Sequence, residues 1–99
     1  MVIEKKSEKQ EQDQAQREEM GFRVAARRNK LLGLWLAGEL GVADAEAYAK
    51  EVVISDLDEP GDEDVIRKVM ADIAEHGSAI TEDQIRGKLA EFLLQAQDQ

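Results

Sequence analysis

Ninety-nine residues, 42% of them hydrophobic and none of them cysteine, make one small domain that depends on a packed core, without disulfides or thiolate-bound metal. The net charge of −9 is uneven: residues 1–38 hold eight bases against six acids, a balance of +2, and residues 39–99 hold five bases against sixteen acids, a balance of −11. An acidic body repels phosphates, which excludes nucleic acid as the partner, and the longest apolar run, Leu31 to Leu40, is about half the length of a membrane span.

The N-terminal stretch is polar. Of residues 1–19, ten are charged and four are glutamine, and Met1 apart its apolar side chains are Val2, Ile3 and Ala15. Such a segment buries too little surface to offset an ordering cost of about 1–2 kcal/mol per residue. It holds no glycine or proline, however, and Glu, Lys, Gln and Arg all tolerate a helix. Residues 1–16 are therefore expected to form a disordered or frayed arm, either a solvated terminus without a role or a segment that becomes helical on a partner. The sequence Met1-Val2-Ile3-Glu4-Lys5-Lys6 does not read as a secretory leader. A cytoplasmic protein, monomeric when free and without membrane insertion, is the expectation.

Residues 17–99 are expected to fold as an all-α, four-helix antiparallel bundle. The first helix is placed at about 16–40. Met20, Val24, Leu31, Leu34 and Trp35 share one face at helical spacing, and Leu32 and Leu36 add a second side. A helix apolar over so much of its girth is packed on two sides and sits centrally. Arg27 and Arg28 lie one turn earlier and mark the expected limit of packing. Gly41 is a stop, free to adopt the left-handed conformation.

The second helix is placed at about 45–55, capped by Asp44, with Ala45, Tyr48, Ala49, Val52 and Val53 facing inward. Pro60 and Gly61 make the turn that follows. A third helix, about 62–75, opens on Asp62, Glu63 and Asp64, which suit the positive end of its dipole, and buries Val65, Ile66, Val69, Met70 and Ile73. The fourth, about 82–96, has the clearest start signal. Thr81 and Gln84 stand at capping-box spacing, Ile80 and Ile85 at the staple positions, and Ile85, Leu89, Phe92, Leu93 and Ala96 form its stripe.

No catalytic constellation stands out. The single histidine, His76, closes a helix, where an imidazole meets the last carbonyls. No serine or threonine pairs with it in a nucleophile arrangement, and no glycine-rich loop cradles phosphate. The acidic turn from Asp56 fits a calcium loop at Asp58, Gly61 and Asp64, but Pro60 stands at the fifth position and Arg67 at the twelfth, where a bidentate glutamate is needed. Neither a metal site nor a cofactor is expected, and the chain does not read as an enzyme.

Four segments in register carry a resemblance. The run Ala26-Arg27-Arg28-Asn29-Lys30-Leu31-Leu32-Gly33-Leu34-Trp35, the segments Ala45-Glu46-Ala47-Tyr48-Ala49-Lys50 and Glu59-Pro60-Gly61-Asp62-Glu63-Asp64-Val65, and the stretch from Ile85 to Leu93 resemble the zeta subunit family of alpha-proteobacterial ATP synthases. The likeness covers about residues 18–96. It implies a four-helix bundle and an inhibitory subunit of the rotary ATPase in the bacterial cytoplasm. Members place an N-terminal segment at a catalytic interface of the alpha and beta subunits and block hydrolysis. Family tails carry phenylalanines and a His-Asp pair ahead of a Glu-x-x-Phe element. Here that element is matched by Glu19-Met20-Gly21-Phe22, while Gln10-Glu11-Gln12-Asp13-Gln14 stands upstream without aromatics. Because interface energy concentrates in a few aromatic or arginine anchors, this departure bears on potency, not on fold.

The resemblance, with the arm-and-anchor division, selects Arg17, Glu18, Glu19, Met20, Phe22, Arg23, Arg27 and Arg28 as partner-contact residues. The cations would pair with interface carboxylates, or else serve as solvated ion pairs worth under about 1 kcal/mol each. Phe22 lies off the Met20–Val24–Leu31 stripe and is either an anchor for a partner or buried against a neighbouring helix. A small acidic scaffold or assembly factor of the same complex, without inhibitory output, is the alternative function.

Overall fold

The computed structural model describes the backbone of residues 2–56 and 61–98, and side chains from residue 21 onward within them. These residues form four helices, α1 (Val2–Leu40), α2 (Ala45–Ser55), α3 (Glu63–Glu75) and α4 (Glu82–Gln97), and among them no strand. α1 packs against α2 and α4, α2 against α3, and α3 against α4, so each helix has two neighbours in a closed ring.

The helical backbone of α1 begins at Val2, where the sequence placed the start of the first helix near residue 16. Nothing between Val2 and Gly21 interrupts the i to i−4 ladder, and residues such as Glu, Gln, Lys and Arg cost well under about 0.7 kcal/mol each relative to Ala. Thirty-nine residues rising about 1.5 Å each span about 58 Å. α4, with sixteen residues the longest of the others, spans about 24 Å. α1 therefore outruns the body it belongs to and sets the long dimension of the molecule, 63 Å against 23 and 21 Å across.

The ends of the helices follow their local chemistry. Gly41, at φ 72°, ends α1 while the Val42 amide donates back to the Ala37 carbonyl at 2.9 Å, a Schellman closure that folds Val42 onto the core. Gly77, at φ 65°, closes α3 the same way, with the Ser78 amide donating to Ile73 at 3.0 Å. The Asp44 carboxylate accepts the Ala47 amide at 3.0 Å at the start of α2. At α4 both arms of the capping box are made: the Gln84 amide donates to Thr81 Oγ1 at 3.2 Å and the Thr81 amide to Gln84 Oε1 at 2.9 Å. His76 Nδ1 lies 2.9 Å from the Asp72 carbonyl, the helix-end contact expected of it.

The core is mostly aliphatic, built from Leu32, Leu36 and Ala37 of α1, Tyr48 and Val52 of α2, Val65, Ile66, Val69 and Ile73 of α3, and Ile85, Leu89 and Phe92 of α4. The buried face of α1 differs from the expected one. Asn29, Leu32, Gly33, Leu36 and Ala37 point inward, a set at i, i+3, i+4, i+7 and i+8. Leu31 and Trp35 pack on its shoulder, and Val24 and Leu34 are half-buried. Gly33 accounts for this phase. A Cβ built there would lie 2.6 Å from Ala49 Cα, so α1 and α2 approach backbone to backbone at this point. Tyr48 is buried with its polar tip satisfied: its hydroxyl donates to Asp72 Oδ2 at 2.7 Å, and Lys68 Nζ lies 3.0 Å from that carboxylate and 5.5 Å from the ring centroid.

Candidate partner interface

Below the Leu32–Leu36 face, α1 carries the basic run, and the structure splits it. Arg27 and Lys30 point to solvent, whereas Arg28 and Asn29 are buried. The Arg28 guanidinium donates from Nε and Nη2 to Asn29 Oδ1 at 3.1 and 2.9 Å. Its Nη2 also lies 2.9 Å from Asp62 Oδ1 and 3.9 Å from Asp56 Oδ2. Asn29 Nδ2 donates to Asp56 Oδ2 at 2.9 Å. The cation on one side and the carboxylate on the other fix which way the Asn29 amide faces.

Arg28 was expected at the limit of packing and among the partner contacts. It is 8% exposed, and its guanidinium is committed to Asn29, Asp56 and Asp62. The reason is charge: two carboxylates flank the α2–α3 connection, and a half-buried acid without a cation nearby is costly. Burial pushes the Asp56 carboxyl above its ordinary value, while the hydrogen bond from Asn29 and the charge of Arg28 pull it back. Asp62, at the N-cap position of α3, makes no capping bond with its side chain and turns to Arg28 instead. Asp56, the first position of the calcium-loop reading, is thus held by Asn29 and Arg28, and Arg67 by Asp64 at 3.1 Å. Asp58 and Pro60, the third and fifth positions, lie outside the described residues.

The network is the mounting of the long helix. It ties α1, one turn before its core face, to both ends of the α2–α3 connection, and so sets the direction in which the helix leaves the body. Among the described residues no buried side-chain polar atom lacks a partner. Sequence reasoning missed Asn29, Asp56 and Asp62 as members. Asn29 stands three residues before Leu32 and seven before Leu36, a spacing that places it on the inward face.

On the N-terminal side of this mounting Phe22 is 61% exposed, which settles its alternative of burial against a neighbouring helix. Arg23 and Arg27 are also exposed. Arg17, Glu18, Glu19 and Met20 lie on α1, and their side chains are outside the described residues. Phe22, Ala25, Ala26, Asn29, Val53 and Asp56 line a shallow recess at the base of the projecting helix. Among the described residues no cluster of three or more His, Asp or Glu could hold a metal ion, and no helix is long and apolar enough to cross a membrane.

Compared with known families, the chain matches ATPase inhibitor subunit zeta over residues 1–99, its whole length, and it belongs to that family. Its members are inhibitor subunits, regulatory proteins without catalysis of their own, of an ATP synthase. No individual curated protein matches the chain.

Proposed function

We propose that this subunit blocks ATP hydrolysis by inserting the N-terminal part of α1 between the alpha and beta subunits of a bacterial F-type ATP synthase, on its cytoplasmic side, while the body stays outside. The carrying observation is that α1 is about 58 Å long on a body whose other helices are less than half that length, with Phe22 exposed where it emerges. Residues 1–16 serve as the arm and residues 17–99 as the anchor, an antiparallel bundle. A helix without packed neighbours is marginal in water, so the arm gains its stability inside the interface. The anchor supplies effective concentration once docked.

Phe22 is the apolar anchor of the contact, and Arg17, Arg23 and Arg27 pair with interface carboxylates, with Glu18, Glu19 and Met20 on the same segment. Arg28 acts indirectly, by holding α1 to Asp56 and Asp62. ATP hydrolysis by the purified cognate ATPase tests the reading, with the full chain and with a form lacking residues 1–19. Inhibition by the full chain and its loss in the shortened form is the expected result. Equal inhibition by both forms contradicts the arm. Binding by both without inhibition by either would establish the scaffold function instead.

A further inference from the structure

A furrow runs along the seam of α1 and α2, and no residue of α3 or α4 lines it. The recess at Phe22 shares Val53 with a second, larger cavity of about 300 Å³ lined by Lys30, Glu46, Ala49, Lys50, Val53 and Ile54. Among the described residues three large hydrophobic side chains are strongly exposed, and two of them, Phe22 and Ile54, border this furrow. A monomer gains nothing by holding two such side chains beside one groove, whereas a protein interface needs an apolar centre of this kind.

The charges around the furrow are also unlike those of the rest of the body. On α3 and α4 the described cations are engaged by carboxylates: Arg67 by Asp64, Lys68 by Asp72 and Glu51, Arg86 by Glu82 and Glu63, Lys88 by Glu91. At the furrow Lys30 meets Glu46 at 3.9 Å, and among the described residues no carboxylate pairs with Lys50. Over residues 39–99 the balance is −11, so an acidic partner is repelled by most of the body and attracted here. The same balance opposes the seating of a second copy of the body.

We propose that the α1–α2 furrow is a second docking site on the ATP synthase catalytic sector, and that its occupant is an amphipathic helix with an apolar stripe flanked by carboxylates. The stripe covers Val53 and Ile54 and runs on to Phe22, and the carboxylates reach Lys30 and Lys50. The site is continuous with the arm through Phe22, so one surface of the catalytic sector can meet both. The inference rests on the reading that this chain binds the catalytic sector, but it concerns the body, not the arm.

The test uses the full chain and the purified cognate catalytic sector, with half-maximal inhibition and binding measured for Ile54→Gln, Lys50→Glu and the double variant. Leu94→Gln, at the third exposed hydrophobic position, is the control. All three substituted positions carry exposed side chains, and far-UV dichroism checks the fold of each variant. The first two should each raise the half-maximal concentration, the double variant by about tenfold or more, with full inhibition retained at saturation and the control unchanged. Carbodiimide should couple Lys50 of the wild-type chain to an Asp or Glu of a catalytic subunit. If the double variant binds as tightly as the wild type while removal of residues 1–19 abolishes inhibition, the furrow proposal fails and the arm stands. If the double variant is weakened while the shortened form still inhibits, the arm fails and the furrow stands. If light scattering shows a dimer that the double variant disrupts, the occupant is a second copy and the proposal is overturned.

Discussion

Replacing Gly33 by alanine isolates the contact that orients α1. The added Cβ would stand 2.6 Å from Ala49 Cα, 3.1 Å from Ala49 Cβ and 3.3 Å from Val52 Cγ2. Carbon atoms in good contact sit about 3.5–4.0 Å apart, so α2 must retreat by about 1 Å along the seam. The nearest atom is backbone and cannot rotate aside. Overpacking of this kind costs about 1–3 kcal/mol. Alanine also favours a helix over glycine by about 1 kcal/mol, so the net loss is smaller, about 0–2 kcal/mol. Gly38→Ala is the matched control: it lies on the same helix, is exposed, and its Cβ meets nothing within 4 Å. It should gain the propensity term alone. The difference between the two variants is then the packing term itself, about 1–3 kcal/mol, which at about 4–8 °C per kcal/mol for a chain of this size separates their melting temperatures by at least about 4 °C. Thermal unfolding followed at 222 nm, with urea titration as a second measure, reads this directly. If Gly33→Ala melts at or above Gly38→Ala, the backbone approach of α1 and α2 does not constrain the fold and the reasoning fails.

Further outcomes follow from the same structure. Arg28→Met leaves Asp56 and Asp62 without their cation and should lower the urea unfolding free energy by about 3 kcal/mol, the lower end for a broken buried pair because Asp62 is 43% exposed; an unchanged midpoint would show the network to be dispensable. Thr81→Ala removes one arm of the capping box and should cost about 1 kcal/mol in the same titration. Burial and the hydrogen bond donated to Asp72 hold the Tyr48 hydroxyl well above its usual range. A raised phenol favours the protonated folded state, so its contribution is complete at neutral pH and is lost as pH rises past about 10. Tyr48 is the single tyrosine, so phenolate absorbance at 295 nm should appear together with loss of helicity; ionisation near pH 10 with helicity intact would contradict its burial.

Much of the fold was legible because it rests on local chemistry. Asp44, Gly41 and the Thr81–Gln84 pair act over three or four residues, and the structure uses each of them at the expected place. The stripes of α3 and α4 were legible because polar residues separate their apolar ones. α1 was harder. Between Leu31 and Leu36 five of six residues are apolar, so periodicity alone does not choose an inward face. Gly33 chooses it, by letting Ala49 approach, and the significance of a missing side chain shows only once the neighbour is in place. Arg28 was misread for a related reason: a cation beside an apolar run looks like a boundary until two aspartates from a distant connection close around it. For the proposed interface, Phe22 is legible as an off-stripe aromatic. Ile54 and Lys50 were not, because their significance depends on α2 lying beside the base of the projecting helix.

The central claim, that the N-terminal part of α1 enters the catalytic interface with Phe22 as its anchor, is tested most directly by photo-cross-linking. A full-length chain carrying benzoylphenylalanine in place of Phe22 would be irradiated in the inhibited complex with the cognate ATPase and the adduct mapped by mass spectrometry. An adduct on an alpha or beta subunit beside a catalytic site is the predicted result. Inhibition that persists with no adduct on either subunit would contradict the account.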